Sequence, residues 1–382
     1  MLSILHTADL HLGKRFGAFP EPFRGRLQEA RHQALESLAR IARADSVDAV
    51  LIAGDLFDTE TPSPEVLRQA LRVLADSAPL PWIVIPGNHD PASAAALWEH
   101  VQAHKPPNLT LALTPEPIPL GPRATLLPAP CRVRRSGRDL TEWMDAAPTP
   151  DGAIRLGLAH GAIQSFSEEG TEGVLDPARA ARAGLDYLAL GDWHGRMRVT
   201  DRTWYSGAPE RDGFKHPGIA EALAVRLPAP GALPQVRPVP TGRFDWRALS
   251  LDLLPDEDAV ERLDDALARA AMPAARDALV RVTAAGRLRP QARAALLARA
   301  NAIAPEYGHF DLDDAALDVA FEVGDLDDID RAGALRQAAE ALLAEAGDPA
   351  RDEAARAAAR TALNLLHVFA ARPADAAGDP AR

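Results

Sequence analysis

Gly54-Asp55-Leu56-Phe57-Asp58 follows the apolar run 47–53, and Gly87-Asn88-His89-Asp90 follows the apolar run 82–85; the fold turns on these two stretches. A short run of Val, Ile, Leu and Ala that stops at a glycine and then at ligating side chains reads as a buried strand ending in a loop. The pattern recurs on both sides. Run 2–7 leads to Asp9-Leu10-His11, run 154–159 to His160-Gly161, and run 187–190 to Gly191-Asp192-Trp193-His194-Gly195. Strands of one sheet that all deliver oxygen and imidazole groups at their C-terminal ends gather hard and borderline ligands along one edge. Such a set suits two divalent cations, and a pair of cations about 3.5–4 Å apart is machinery for cleaving phosphate esters.

Helical patterns alternate with the runs. One covers 26–43, and another covers 64–76 with Ser63 as its N-cap. Residues 1–225 therefore read as a layered α/β domain. The proline-rich stretches 114–130 and 227–240 read as loops and a domain edge. A strand at 244–254 opens a second unit. It is followed by a helix at 256–271, a strand at 278–283, a turn at Gly286 and a helix at 290–303, which suggests a small α+β domain over 244–325. From Asp328 to residue 370, Leu335, Ala338, Leu342 and Leu343, then Leu363, Leu366 and Val368, recur at helical spacing. Two amphipathic helices joined by an acidic loop fit, either packed as a pair or serving as a docking arm for a partner. The tail 371–382, rich in Ala, Asp and Pro, reads as disordered.

At 382 residues the chain has room for two or three domains, and 47% hydrophobic with 25% charged residues is the balance of a soluble globular protein. The single cysteine, Cys131, excludes an intramolecular disulfide framework. No apolar stretch approaches the 18 or so residues of a membrane span, and His6 and Asp9 break the first run in a way that does not fit a signal peptide; a cytoplasmic location is expected. The formal charge of −12 shows no overall basic footprint. It argues against tight autonomous DNA binding and says little about a catalytic subunit that works beside a partner.

The candidate ligands follow from residue chemistry. Asp9 and His11, two apart, can turn toward one cation. Asp55, after a strand and a glycine, is placed where a carboxylate can bridge two. Asn88 offers an amide oxygen, and His160 and His194 offer imidazole nitrogens. Oxygen and nitrogen donors without thiolate suit Mn²⁺, Mg²⁺, Fe²⁺ or Zn²⁺. The other histidines read differently: His6 packs under the site, and His32, His100, His104, His216, His309 and His367 are surface or structural. Trp193 is a packing wedge rather than a platform for stacking bases. Lys14, Arg15 and Arg211 either meet phosphate near the site or are ordinary surface charges.

Each motif alone is weak, but five in this order, each after a strand, are specific. Together, His6-Thr7-Ala8-Asp9-Leu10-His11-Leu12-Gly13, Ala53-Gly54-Asp55-Leu56-Phe57-Asp58, Pro86-Gly87-Asn88-His89-Asp90, His160-Gly161 and Leu190-Gly191-Asp192-Trp193-His194 resemble the calcineurin-like metallophosphoesterases. Within them the match is to the DNA-repair exonuclease branch of SbcD-like nuclease subunits, whose exit segment Tyr205-Ser206-Gly207-Ala208-Pro209-Glu210-Arg211 resembles. The resemblance is strong over residues 1–220, weaker over 244–320, and stops there. It implies an αββα sandwich with the second domain capping the site. It also implies two divalent cations, Mn²⁺ first among them: Asp9, His11 and His194 on the first, Asn88, His160 and residue 192 on the second, and Asp55 bridging. His89 is then no ligand; it contacts the phosphate and assists the leaving group. The activity implied is a DNA exonuclease or endonuclease in repair, with a coiled-coil, SMC-like ATPase partner and a homodimer. The alternative is a stand-alone phosphodiesterase or phosphatase on a nucleotide or other small ester. One position departs from the branch: Asp192 stands where histidine is usual. A carboxylate there adds negative charge and favours Mn²⁺ or Mg²⁺, ligating directly or through water; otherwise Asp192 is not a ligand.

Overall fold

In the computed structural model, which describes residues 1–163, 174–272, 274–320 and 333–370, the apolar runs are strands of two stacked sheets. Edge to edge, the first is β12 (Gln235–Pro240), β11 (Glu221–Leu227), β1 (Leu2–Thr7), β2 (Ala49–Ala53), β3 (Trp82–Ile85) and β4 (Leu109–Leu111). The second is β5 (Ile118–Leu120), β6 (Ala124–Ala129), β7 (Ile154–His160), β8 (Tyr187–Gly191), β10 (Thr203–Tyr205) and β9 (Met197–Arg198). Strands β1 to β4 are mutually parallel, as are β6, β7, β8 and β10. Their C-terminal ends therefore lie at one edge of each sheet.

The period-2 pattern sorts side chains between layers. On β2, Ala49, Leu51 and Ala53 join the core between the sheets, with Leu126, Leu156 and Tyr187 opposite. Val50 and Ile52 face outward, against α1 (Glu21–Ala44), α2 (Pro64–Asp76) and α3 (Ala95–His104), through Leu38, Leu74 and Trp98. The outer face of the second sheet is covered through Met144 and Ala180, the latter on the short α4 (Arg179–Arg182). This is an αββα sandwich. Strands buried on both faces read as continuous apolar runs, which is why they are visible in the sequence.

The proline-rich stretches are not simply loops. β5 and β6 lie in the first and β12 in the second. Pro128 falls beyond Leu126, where β6 has lost β5 and pairs only with β7, and Pro238 and Pro240 lie on an edge strand; these are places where a missing N–H is tolerated. Helix α2 begins as expected, with Ser63 Oγ accepting the Val66 N–H at 3.3 Å.

Residues 1–246 form one compact unit, and the described residues from 247 onward form another. The second holds a three-stranded sheet of β13 (Asp245–Leu253), β14 (Ala278–Leu288) and β15 (His309–Val319), with α5 (Ala259–Arg269) and α6 (Pro290–Ile303) contributing Leu263 and Leu296 to its core. Gly286 does not turn the chain. It lies within β14, just past a register shift, at φ 108°, and a Cβ there would sit 2.2 Å from the Leu253 carbonyl oxygen. Glycine inside a strand at a bulge keeps the strand going where the sequence reads as a turn. The last helices, α7 (Ala334–Gly347) and α8 (Glu353–Ala370), meet through Ala339 and Leu363; Ala338 and Leu335 face out. The tail 371–382 lies outside the described residues. Among the described residues no helix is long and apolar enough to cross a membrane.

Candidate metal centre

Four of the sequence-predicted ligands sit on left-handed backbone: Asp9 (φ 55°), His11 (φ 43°), Asp55 (φ 54°) and Asp192 (φ 99°). For residues other than glycine this costs about 1–3 kcal/mol each, and it concentrates where side-chain direction is under demand. Neighbouring strand ends hold the loops. The Asp9 N–H donates to Gly54 O at 3.1 Å and the His11 N–H to Asp55 O at 3.0 Å. The buried Asp90 carboxylate takes the N–H groups of Gly87 and Phe57 at 2.7 and 2.9 Å, tying the loops after β3 and β2 together. Glycine is required at three places here by close approach: a Cβ on Gly54 would lie 2.3 Å from His160 Nδ1, one on Gly87 2.1 Å from Asp55 Oδ1, and one on Gly191 2.0 Å from the Ala53 carbonyl oxygen.

The predicted residues converge into two groups. Asp9, His11 and His194 present ligand atoms within 4.8 Å of one another, and so do Asp9, Asp55 and His160. His11 Nε2 and His194 Nε2 face each other at 3.2 Å. Behind them, His11 Nδ1 lies 3.2 Å from Asp58 Oδ1, and His194 Nδ1 3.1 Å from Asp212 Oδ2. With the His194 Nδ1–H donated to Asp212 and Asp58 close behind His11 Nδ1, the two Nε2 atoms point at one spot, the usual arrangement of metal-binding histidines. His160 donates from Nδ1 to Ala53 O at 2.8 Å, leaving Nε2 toward Asp55 Oδ2 at 3.6 Å and Asp192 Oδ1 at 3.8 Å. Asn88 donates from Nδ2 to Asp192 Oδ1 at 3.2 Å.

The donor set fits divalent cations. Asp9 Oδ2, Asn88 Oδ1 and His160 Nε2 are buried with no hydrogen-bond partner. Unsatisfied buried acceptors are costly, and a cation would satisfy all three. Ligand atoms about 2.1 Å from one ion and 90–109° apart are about 3.0–3.4 Å from each other, close to the spacing seen here. Asp55 Oδ2 lies 3.4 Å from His11 Nε2 and 3.6 Å from His160 Nε2, so a single oxygen addresses both groups.

Electrostatics tell the same story. In the protein alone, burial lifts the Asp9 carboxyl to about 7 against the pull of His194 and His160. Burial would lower His160, but Asp55, Asp9 and Asp192 outweigh it and raise the imidazole to about 9. Burial takes His11 down to about 4, opposed by Asp58 and Asp55. Burial would also raise Asp55; His160, His11 and His89 instead hold it below the ordinary value. Crowded carboxylates that share protons with histidines are the state a divalent cation displaces.

His89 lies at the rim of the cluster. Its N–H donates to Asp55 Oδ1 at 2.9 Å, and its Nδ1–H to Asp58 O at 3.0 Å, so Nε2 is the atom left for outside contact. His6 packs beneath: its Nε2–H donates to Leu190 O and its Nδ1 accepts from Tyr187 Oη, in full burial that lowers it to about 3. Trp193 is partly buried against the second outer core. Lys14 is paired with Asp212 at 2.7 Å and Arg211 donates to the His194 carbonyl at 2.6 Å, so both are engaged within the protein.

Two residues escape a reading of the sequence. Asp58 stands at the end of the second motif with nothing local to mark a role, although it backs His11 and groups with His89. Asp212 follows directly on the exit segment. Burial would raise its carboxyl, but His194, Arg31 and Lys14 hold it well below the ordinary range. Arg31, itself buried, also donates to Leu10 O and Asp9 O. No local motif marks a carboxylate that acts across 18 residues of chain.

Among curated proteins, the SbcD component of the SbcCD nuclease of Bacillus subtilis (strain 168) is 28% identical over 273 residues, 60% of this chain and 67% of that one. The SbcD component of Rhodobacter capsulatus is 33% identical over 185 residues, 47% of this chain and 42% of that one. The DNA double-strand break repair protein Mre11 of Methanosarcina acetivorans is 26% identical over 269 residues, 66% of this chain and 41% of that one. The chain thus spans about two thirds of the first relative's length and less than half of the other two. The calcineurin-like phosphoesterase profile matches residues 2–196, just over half of the chain and all five strand-end clusters. With that match, the chain belongs to the calcineurin-like phosphoesterase family of metal-dependent hydrolases, on the side of it that resembles SbcD and Mre11.

Proposed function

We propose that this chain is a nuclease: a two-cation phosphodiester hydrolase acting on DNA in repair. The observation that carries the chemistry is Asp55 Oδ2, set between His11 Nε2 at 3.4 Å and His160 Nε2 at 3.6 Å, where one carboxylate oxygen would be available to both halves of a dinuclear centre. Asp9, His11 and His194 would hold one cation and Asn88, His160 and Asp192 the other, with Mn²⁺ or Mg²⁺ favoured by the carboxylate at 192. When bound, such a pair supplies Lewis acidity and an activated water for in-line attack on phosphorus.

The protein's own part is positional. Asp212 fixes the tautomer of His194 by accepting from its Nδ1, and Asp58 lies 3.2 Å behind His11 Nδ1. The Asp58 carbonyl holds His89 Nδ1–H, so a proton passed to the leaving oxygen comes from Nε2. Similarity to nuclease components and to a double-strand break repair protein supports DNA as substrate. Relatives named as one component of a nuclease also support a partner for this chain, of the coiled-coil ATPase class that the resemblance implies.

The test is degradation of end-labelled linear duplex DNA in Mn²⁺, with His89→Ala beside the wild type. Degradation by wild type, and a loss of about 10²–10⁴-fold in His89→Ala with cation content unchanged, is expected. Loss of cations in that variant would make His89 a ligand instead. Turnover of bis(p-nitrophenyl) phosphate without any DNA degradation would move the substrate to small phosphodiesters.

A further inference from the structure

The stretch Arg132-Val133-Arg134-Arg135-Ser136-Gly137-Arg138 runs on from the end of β6. Its four arginines are exposed, and among the described residues none makes an ion pair. The neighbouring acid, Asp139, is taken by Arg179 at 2.6 Å. In a chain of formal charge −12 this is a local reversal of sign.

Arg134, Arg135 and Arg138 line a cavity of about 280 Å³. Leu140, Val174 and Leu175 give it an apolar side, and Asn88, His160 and Asp192 belong to its wall. It therefore joins three features: a cation site, an apolar surface and a cationic rim. The volume is at the small end for ligand pockets, which run from about 300 to 1,000 Å³. It has room for one base with its sugar.

We propose that this cavity is a nucleotide subsite for a single strand. One phosphate lies at the cation centre, the attached base and sugar lie against Leu140, Val174 and Leu175, and the next phosphate lies on Arg134, Arg135 and Arg138. The proposal rests on the nuclease reading and narrows it: the strand must be unpaired where it enters, because a base seated against Leu140, Val174 and Leu175 has left its stack. A small ester with one phosphate would leave the arginine rim without a partner.

The test is fluorescence anisotropy of labelled oligothymidylate in Ca²⁺ over a range of NaCl concentrations. The probe is titrated with wild type, the variant Arg134→Ala/Arg135→Ala/Arg138→Ala, and the matching triple lysine variant. Each strand phosphate neutralised contributes about 0.7 to the slope of log affinity against log salt, so the alanine variant, which lets go of one phosphate, should lose about 0.7 units of slope and the lysine variant should keep them. An abasic strand of the same length should bind wild type several-fold more weakly. An unchanged slope in the alanine variant overturns the arginine rim, and equal binding of the abasic strand overturns the base subsite. If wild type meanwhile degrades DNA, the nuclease reading survives either failure. Wild type that hydrolyses bis(p-nitrophenyl) phosphate but neither binds the oligonucleotide nor degrades DNA overturns both.

Discussion

The Asp9–His11–His194 half of the centre and the Asn88–His160–Asp192 half are held in different ways. In the first, each imidazole has a carboxylate behind it, and Asp212 is itself held by Lys14 at 2.7 Å and Arg31 at 3.3 Å. In the second, His160 leans on a single backbone carbonyl, and Asn88 and Asp192 brace each other. The second half also forms part of the cavity wall, whereas Asp9 and His11 are fully buried. On the proposed assignment, the difference teaches that one half would be built before a cation arrives and the other would be shaped by what occupies it. Pre-organised ligands bind tightly; adaptable ones leave room for substrate.

Asp55→Ala should have the largest effect, because it removes the oxygen both halves share. Calorimetric titration with Mn²⁺ should fall from two binding events to at most one weak event, and turnover of a generic phosphodiester should fall to background. Two events of unchanged affinity would show the halves to be independent and would sink the bridging role. Asp212→Ala should come next, weakening one event by about 10–100-fold and sparing the other. Asp212→Asn, which still accepts the His194 proton, should lie between the alanine variant and wild type. Equal weakening of both events would erase the contrast between the halves. The smallest effect should come from Asp192→His, which exchanges a hard oxygen donor for a borderline nitrogen. A few-fold shift of the second event from Mn²⁺ toward Zn²⁺ is expected in competition titrations; no shift in either event would remove Asp192 from the ligand set.

What can be read from the chain beforehand divides along similar lines. β1 and β3 run from Leu2 to Thr7 and from Trp82 to Ile85, matching their apolar runs, because strands buried on both faces leave no polar interruptions. The residues at their ends are legible for the same reason: a ligating group just after such a run has one edge to occupy. β6 and β12 are hidden by prolines that only the sheet edges explain, and β14 by a glycine whose need is set by Leu253 across the sheet. Asp58 and Asp212 escape notice because their roles lie in pairing with a histidine far away in the chain, and sequence carries no local mark of that. The exposed arginines beside the site are masked by a total charge of the opposite sign.

The close approach at Gly191 and Gly87 has a genetic consequence. A methyl group at position 191 would press on the Ala53 carbonyl, and one at 87 on Asp55 and its backbone nitrogen. Neither obstacle is a side chain that a second mutation can shorten without touching the centre itself. In a population under selection for this activity, the two glycines should thus behave as dead ends: a substitution at either should find no second-site suppressor within the gene.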